Sequence, residues 1–150
     1  PEMQASPRPL QQPHPPIWVG GNSARARRRV AELGDGWHAT SMPFEALRAG
    51  IMHLRQLWDR QGRPGEPVLS LRIACSIEGV SQEVLHFPPR PGRGMRDSLS
   101  GSPSAIVERL GAYQEIGVRH VVLETSTQSH TSSAATLEAF MQRIKPQLRA

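Results

Sequence analysis

The sequence has one cysteine, Cys75, and one lysine, Lys145, in 150 residues. A lone cysteine excludes an internal disulfide and a cysteine-cluster metal site. Cys75 sits in the apolar run VLSLRIACSI, where a thiol behaves as a small buried hydrophobe. The near absence of lysine leaves arginine to carry the formal net charge of +5. Basic, arginine-rich chains include nucleic-acid binders. Apart from Arg27, Arg28 and Arg29, however, the arginines are scattered, and no recognition motif accompanies them. Coding bias is therefore the reading, with no nucleic-acid partner. No stretch approaches the roughly 20 apolar residues of a membrane span. No signal peptide is visible, so the expected location is cytoplasmic, without a membrane partner. No pair of side chains has metal-ligand spacing with a third ligand, so no metal is expected. The chain opens at Pro1 rather than a methionine, which points to a longer parent chain.

What is present reads as one folding unit, the size expected for a single core. Prolines crowd residues 1–16, an extended lead-in, and residues 88–91, a loop. Residues 17–19 form a short apolar strand ending in Gly20 and Gly21. Asn22 or Ser23 then caps a helix that stops at Gly34. Residues 36–40 form a second strand. Pro43 opens a helix with the stripe Phe44, Leu47, Ile51, Leu54 and Trp58. Residues 68–77 alternate as a third strand, and 78–101 read as irregular. Ser102 and Pro103 start a helix that ends at Gly117. Residues 118–123 form a fourth strand. A last helix carries Leu137, Phe140, Met141 and Ile144. Four alternating βα units imply a parallel sheet with crossover helices. Two architectures fit: a small open doubly wound sheet, or half of a (β/α)8 barrel.

The chemistry concentrates at GGNS. A strand that ends in glycines and leads into a helix presents unpaired amides and the positive end of the helix dipole. Glycine lets a phosphate approach the backbone. Gly20, Gly21, Asn22 and Ser23 supply amides and two side-chain donors, and Arg25 can add a charge-assisted bond. The same turn is also what any parallel βα unit needs, so spacing alone leaves turn and anion site both open. The dinucleotide fingerprint GxGxxG is absent.

The segment PPIWVGGNSARARRRVAELGDGWHAT resembles the hallmark of the luciferase-like flavin monooxygenase family, in particular its coenzyme F420-dependent oxidoreductase branch. Residues 101–124 and 136–149 resemble that family's late helix, final strand and closing helix. The resemblance implies an α/β fold, the C-terminal half of a (β/α)8 TIM barrel, with residues 17–150 as strands five to eight. It implies F420 or FMN as cofactor, with the phosphate at Gly20, Gly21, Asn22 and Ser23. It also places Trp37, His38, Thr40 and Ser41 beside an organic small-molecule substrate. Sugar-phosphate-oxidising members carry a lysine shortly after this point; Met42, Pro43 and Phe44 stand here instead and argue against a phosphorylated sugar. Most residues the family uses for catalysis lie in its first four βα units, so no catalytic residue is assigned. Half a barrel leaves unpaired edges, so a homodimer or a missing N-terminal half is expected.

Other residues read more plainly. His38 is a pocket-lining histidine or a base without a visible carboxylate partner. His53 reads as surface, His120 as strand packing, Trp58 as core, and Glu124 as a solvated carboxylate at the rim. Trp37 is the aromatic candidate for a cofactor ring or substrate wall. Ser and Thr at 125–133 form no nucleophile elbow. The implied function is hydride transfer or monooxygenation. The alternatives are a non-catalytic half-barrel that associates with a partner, or another phosphate-binding barrel enzyme.

Overall fold

A computed structural model describes residues 9–80, 97–125 and 129–148. Within them the order is β1 (Trp18–Gly20), α1 (Ala24–Leu33), β2 (Gly36–Thr40), α2 (Phe44–Arg60), β3 (Val68–Ile77), β4 (Ser98–Gly101), α3 (Pro103–Glu115), β5 (His120–Glu124) and α4 (His130–Ala139). Residues 1–8 of the expected lead-in and the expected proline loop at 88–91 lie outside the described residues.

Every strand pair is parallel. β2 pairs with β1 on one side and β3 on the other, and β5 pairs with β3. Four strands thus lie in sequence order, without the reversal a doubly wound sheet requires. Their outward residues, among them Trp37, Ala39, Leu69, Leu71 and Ile73, are buried in one core with Val30, Leu47, Ile51 and Leu54 of the helices. The helices therefore cover one face only. This singly wound arrangement is half of a (β/α)8 barrel, which decides between the two architectures.

The other face is concave. Trp18 on β1 and His120 on β5 are separated by β2 and β3, a span of about 14 Å in a flat sheet. Their ring centroids are 4.9 Å apart. Only a strongly curved sheet brings inward side chains from those two strands together. Gly36 makes room for this, since a Cβ there would lie 2.9 Å from Trp18 Cδ1 and 2.8 Å from the Val68 carbonyl oxygen.

β4 lies inside residues 78–101, which read as irregular from sequence. β3 has ten residues against five in β2, and its last part needs a partner for its backbone groups. Ser98–Gly101 supplies it along Ala74–Ile77. The final helix also differs from expectation. Its axis passes through a π-helical turn at Phe140–Ile144, which shifts the helical register. Thr136, Ala139 and Ile144 are buried, whereas Leu137 and Met141 face solvent.

Gly34 ends α1 as expected, but not through a left-handed conformation: its φ is −108°. It is small because a Cβ would lie 3.0 Å from Val19 Cγ2. Arg63 completes that helix end by donating to the Gly34 carbonyl while stacking 4.0 Å from the Trp58 ring. Cys75 is buried, and burial pushes its thiol up to about 11, so it stays unreactive.

The tightest seam between layers is Gly50 against Trp37: an added Cβ would lie 2.8 Å from the indole Cη2. Gly50→Ala is expected to lower stability by about 1–3 kcal/mol through overpacking. The shift in the urea unfolding midpoint measures it.

Candidate functional site

β1 runs straight into the turn Gly20–Ser23. Gly21 has φ +111°, a conformation L side chains rarely adopt, so glycine is required there. At Gly20 nothing crowds an added Cβ; the nearest heavy atom is 3.9 Å away. Packing does not demand a glycine at that position, which faces the concave side.

Several bonds fix the turn. Gly21 N donates to the His38 carbonyl at 3.4 Å. Trp37 Nε1 donates to the Gly21 carbonyl at 2.7 Å. Asn22 Nδ2 donates to the Thr40 carbonyl, and Thr40 N donates back to Asn22 Oδ1, both at 2.9 Å. Arg27 Nη1 donates to the Asn22 carbonyl at 2.8 Å, and its Nε to His53 Nδ1 at 3.2 Å. Ser23 caps α1, its Oγ accepting from Ala26 N at 3.2 Å. Asn22 thus spends Oδ1 and one Nδ2 hydrogen on Thr40, so that its amide acts as an extra rung between β1 and β2, and one N–H remains. Ser23 keeps its hydroxyl proton for another acceptor. The amides of Ser23, Ala24 and Arg25 have no acceptor among the described residues. Arg25 is exposed in the first turn of α1 and makes no ion pair among them.

The remaining expected residues fall on two faces. His38 and Thr40 point to the concave side, where His38 Nδ1 meets Ser70 Oγ at 2.9 Å. A hydroxyl, not a carboxylate, is thus the partner of His38. Trp37 is a correction. The strand's period of two places it opposite His38, under the helices, with 1% of its surface exposed. It supports the turn from behind and cannot form a substrate wall. Ser41 ends the strand with its Oγ donated to the Asp97 carbonyl and its N to the Arg72 carbonyl at 2.8 Å.

Two groups went unread in the sequence. Asp97 accepts from Arg109 and from the Tyr113 hydroxyl, the latter at 3.1 Å, and so ties β4 to α3 beside Ser41. Burial raises the Tyr113 phenol above its usual range. The Arg109–Tyr113 spacing is a readable helical pair. Asp97, however, follows a long proline-rich stretch that hides its partners. A cavity of about 240 Å³ lies between β4 and α3 and borders this network. The second unread group is Arg72, on the concave face, paired with Glu124 at 3.6 Å. Glu124 is therefore an ion-pair partner rather than a solvated carboxylate. His120, expected as packing, packs against the Trp18 ring and is otherwise exposed on this face.

A curved, all-parallel βα sheet with a glycine turn and an open helix start on its C-terminal rim defines a segment of a (β/α)8 barrel, where active sites gather. The chain belongs to the luciferase-like monooxygenase family, whose sequence model matches residues 1–86, the whole glycine turn included. Solved structures agree in fold. A coenzyme F420 dependent tetrahydromethanopterin reductase from Methanopyrus kandleri superposes with a TM-score of 0.66 at 13% identity, over 89% of this chain and 51% of that one. An F420-dependent secondary alcohol dehydrogenase, solved with an F420-acetone adduct, gives 0.67 at 12%, over 93% and 50%. Apo-MsnO8 gives 0.67 at 14%, over 98% and 55%. The chain thus spans about half the length of these structures. Among the described residues no helix is long and apolar enough to cross a membrane.

Burial, and then the charge of Arg72, lowers the His38 pKa below its ordinary 6.5. The folded protein keeps this imidazole neutral where the unfolded chain protonates it. The contribution is therefore constant above pH 6.5, and stability is lost as pH falls from there towards the folded-state value. His38→Gln is expected to remove that component. Urea midpoints of wild type and variant should stay a fixed distance apart above pH 7, and the wild-type value should fall more steeply below 6.5.

Proposed function

We propose that this chain is part of an F420- or FMN-dependent oxidoreductase, and that Gly20–Ser23 with the start of α1 grips the cofactor phosphate. The observation that carries this reading is a turn held rigid by bonds to its carbonyls and side chains while the amides of Ser23, Ala24 and Arg25 stay unaccepted. Such amides, preorganised at a helix N-terminus, suit an anion. The open space at Gly20 supports the same assignment, because a side chain there would occupy the approach to the turn.

The residues present fit the phosphate end of either cofactor. The amides and the Ser23 hydroxyl donate to phosphate oxygens, and Arg25 closes over them. When bound, the ring system of the cofactor accepts or delivers hydride. His38, Thr40 and Ser41 line the rim that substrate approaches, and His38 does so as a neutral imidazole. In this reading residues 17–150 are strands five to eight, residues 1–16 lead into them, and an N-terminal half-barrel covers the concave face. F420 dependence of the two solved reductase and dehydrogenase structures favours F420, while the family assignment keeps FMN in play.

Titration with F420 and with FMN, followed by cofactor fluorescence, tests the grip. Arg25→Gln and Gly20→Ala are expected to weaken binding by about tenfold, some 1.4 kcal/mol. Neither should change the unfolding midpoint, since Arg25 is exposed and the Gly20 Cβ meets no close contact. Unchanged affinity in both variants moves the phosphate elsewhere. Binding of inorganic phosphate at the turn without either cofactor favours another phosphate-binding barrel enzyme.

A further inference from the structure

The concave face is ordered in rows set by strand register. Gly20, His38, Ser70 and His120 form one row; Thr40, Arg72 and Val122 form the next towards the C-terminal rim; Ala74 and Glu124 follow. Arg72 therefore stands at the centre of the rim row, level with the last residue of β2.

Its guanidinium is only partly satisfied. The Nε is buried without a hydrogen-bond acceptor. The Glu124 carboxylate oxygen lies 3.6 Å away, beyond hydrogen-bond reach. No hydrogen bond from the Arg72 side chain is made among the described residues, and 43% of that side chain is open to solvent. Beside it in the same row Val122 is 45% exposed. A planar fork whose donors find no acceptor among the described residues, next to an apolar surface, matches a carboxylate on an apolar body. A single cation suits a singly charged group.

We propose that Arg72 is the docking group for the carboxylate of an organic acid substrate, whose apolar part lies along Val122. This rests on the oxidoreductase reading for the word substrate; the anion site itself does not. Glu124 restrains the guanidinium in the free protein and weakens the incoming carboxylate by like charge. Thr40 borders the site from the other side of the row, which places the docked molecule next to the glycine turn.

The probe pair is hexanoate and hexan-1-ol, and the readout is the NMR titration of His38. The charged or titratable groups sharing its face among the described residues are Arg72, Glu124 and His120, and Ser70 is its hydrogen-bond partner. A carboxylate on Arg72 neutralises the cation that lowers the His38 pKa, so saturating hexanoate raises it and hexanol does not. Arg72→Gln is expected to abolish the hexanoate effect and to start from an already raised His38 pKa. Arg72→Lys, which keeps the charge but not the fork, weakens hexanoate by about tenfold, the size of one charge-assisted hydrogen bond. It serves where the glutamine variant does not fold. Glu124→Gln tightens hexanoate. A shift of equal size in Arg72→Gln, an unchanged hexanoate affinity in Arg72→Lys, or equal effects of hexanoate and hexanol, overturns the assignment. FMN and F420 titrations on the same Arg72→Gln protein separate the two sites. In the wild type, cofactor binding without any hexanoate effect overturns the carboxylate site alone. A hexanoate effect lost only in Arg72 variants, with no cofactor binding in wild type, overturns the cofactor reading and leaves the carboxylate site standing.

Discussion

The site depends on how one buried indole is held. Trp37 lies between sheet and helices, on the face opposite the chemistry, yet its N–H ends on the Gly21 carbonyl. A buried indole N–H needs an acceptor, and here the acceptor is the glycine turn itself. The ring is seated against Gly50 of α2, and the Arg27 guanidinium lies 5.6 Å from its centre. Arg27 in turn holds the Asn22 carbonyl. Helix packing and turn conformation are thus one mechanical unit. The turn does not have to be ordered by a ligand, so less binding free energy is lost to ordering it.

The motif GDGW becomes intelligible in the same terms. Asp35 accepts the Ile17 amide at 2.7 Å and fixes where β1 begins. Gly36 leaves the space that Trp18 fills, and Trp37 anchors the turn at the far end of that strand. Three successive residues therefore set the start, the inner face and the outer support of β1, although all three sit on or beside β2.

Much of this was legible in the sequence, for definite reasons. The elements that rely on local signals read correctly: the glycine stop, the Ser102 cap, the first helix cap narrowed to Asn22 or Ser23 (it is Ser23), and the α2 stripe from Leu47 to Trp58. What failed depended on distant partners. β4 carries one apolar residue, Leu99, and exists because β3 overhangs β2. Residue type does not show that Asn22 already uses its Oδ1 and one of its two N–H groups on Thr40. Trp37 looked like a pocket wall because an aromatic beside a motif attracts that reading; strand parity alone would have placed it opposite His38. Arg72 was hidden inside an alternating strand whose polar positions pass for solvent-facing ones.

Parity then organises the molecule as a whole. On β2 and β3 the outward positions Trp37, Ala39, Leu69, Leu71 and Ile73 are almost fully buried, and they hold the layers together. Apart from Val68 at the start of β3, the inward positions are small or polar: Gly36, His38, Thr40, Ser70, Arg72, Ala74 and Ser76. A closed barrel fills its interior mainly with bulky branched side chains. The inward set here is too small and too polar to serve as such a core by itself, and the aromatic contact between Trp18 and His120 is its largest packed feature. Volume and hydrogen-bonding capacity are instead left along the rim. Changes to the outward set act on stability. Changes at the inward rim positions Thr40 and Arg72 act on what the concave face can hold, whereas Gly36, Ser70 and Ala74 are buried and act on the sheet as well.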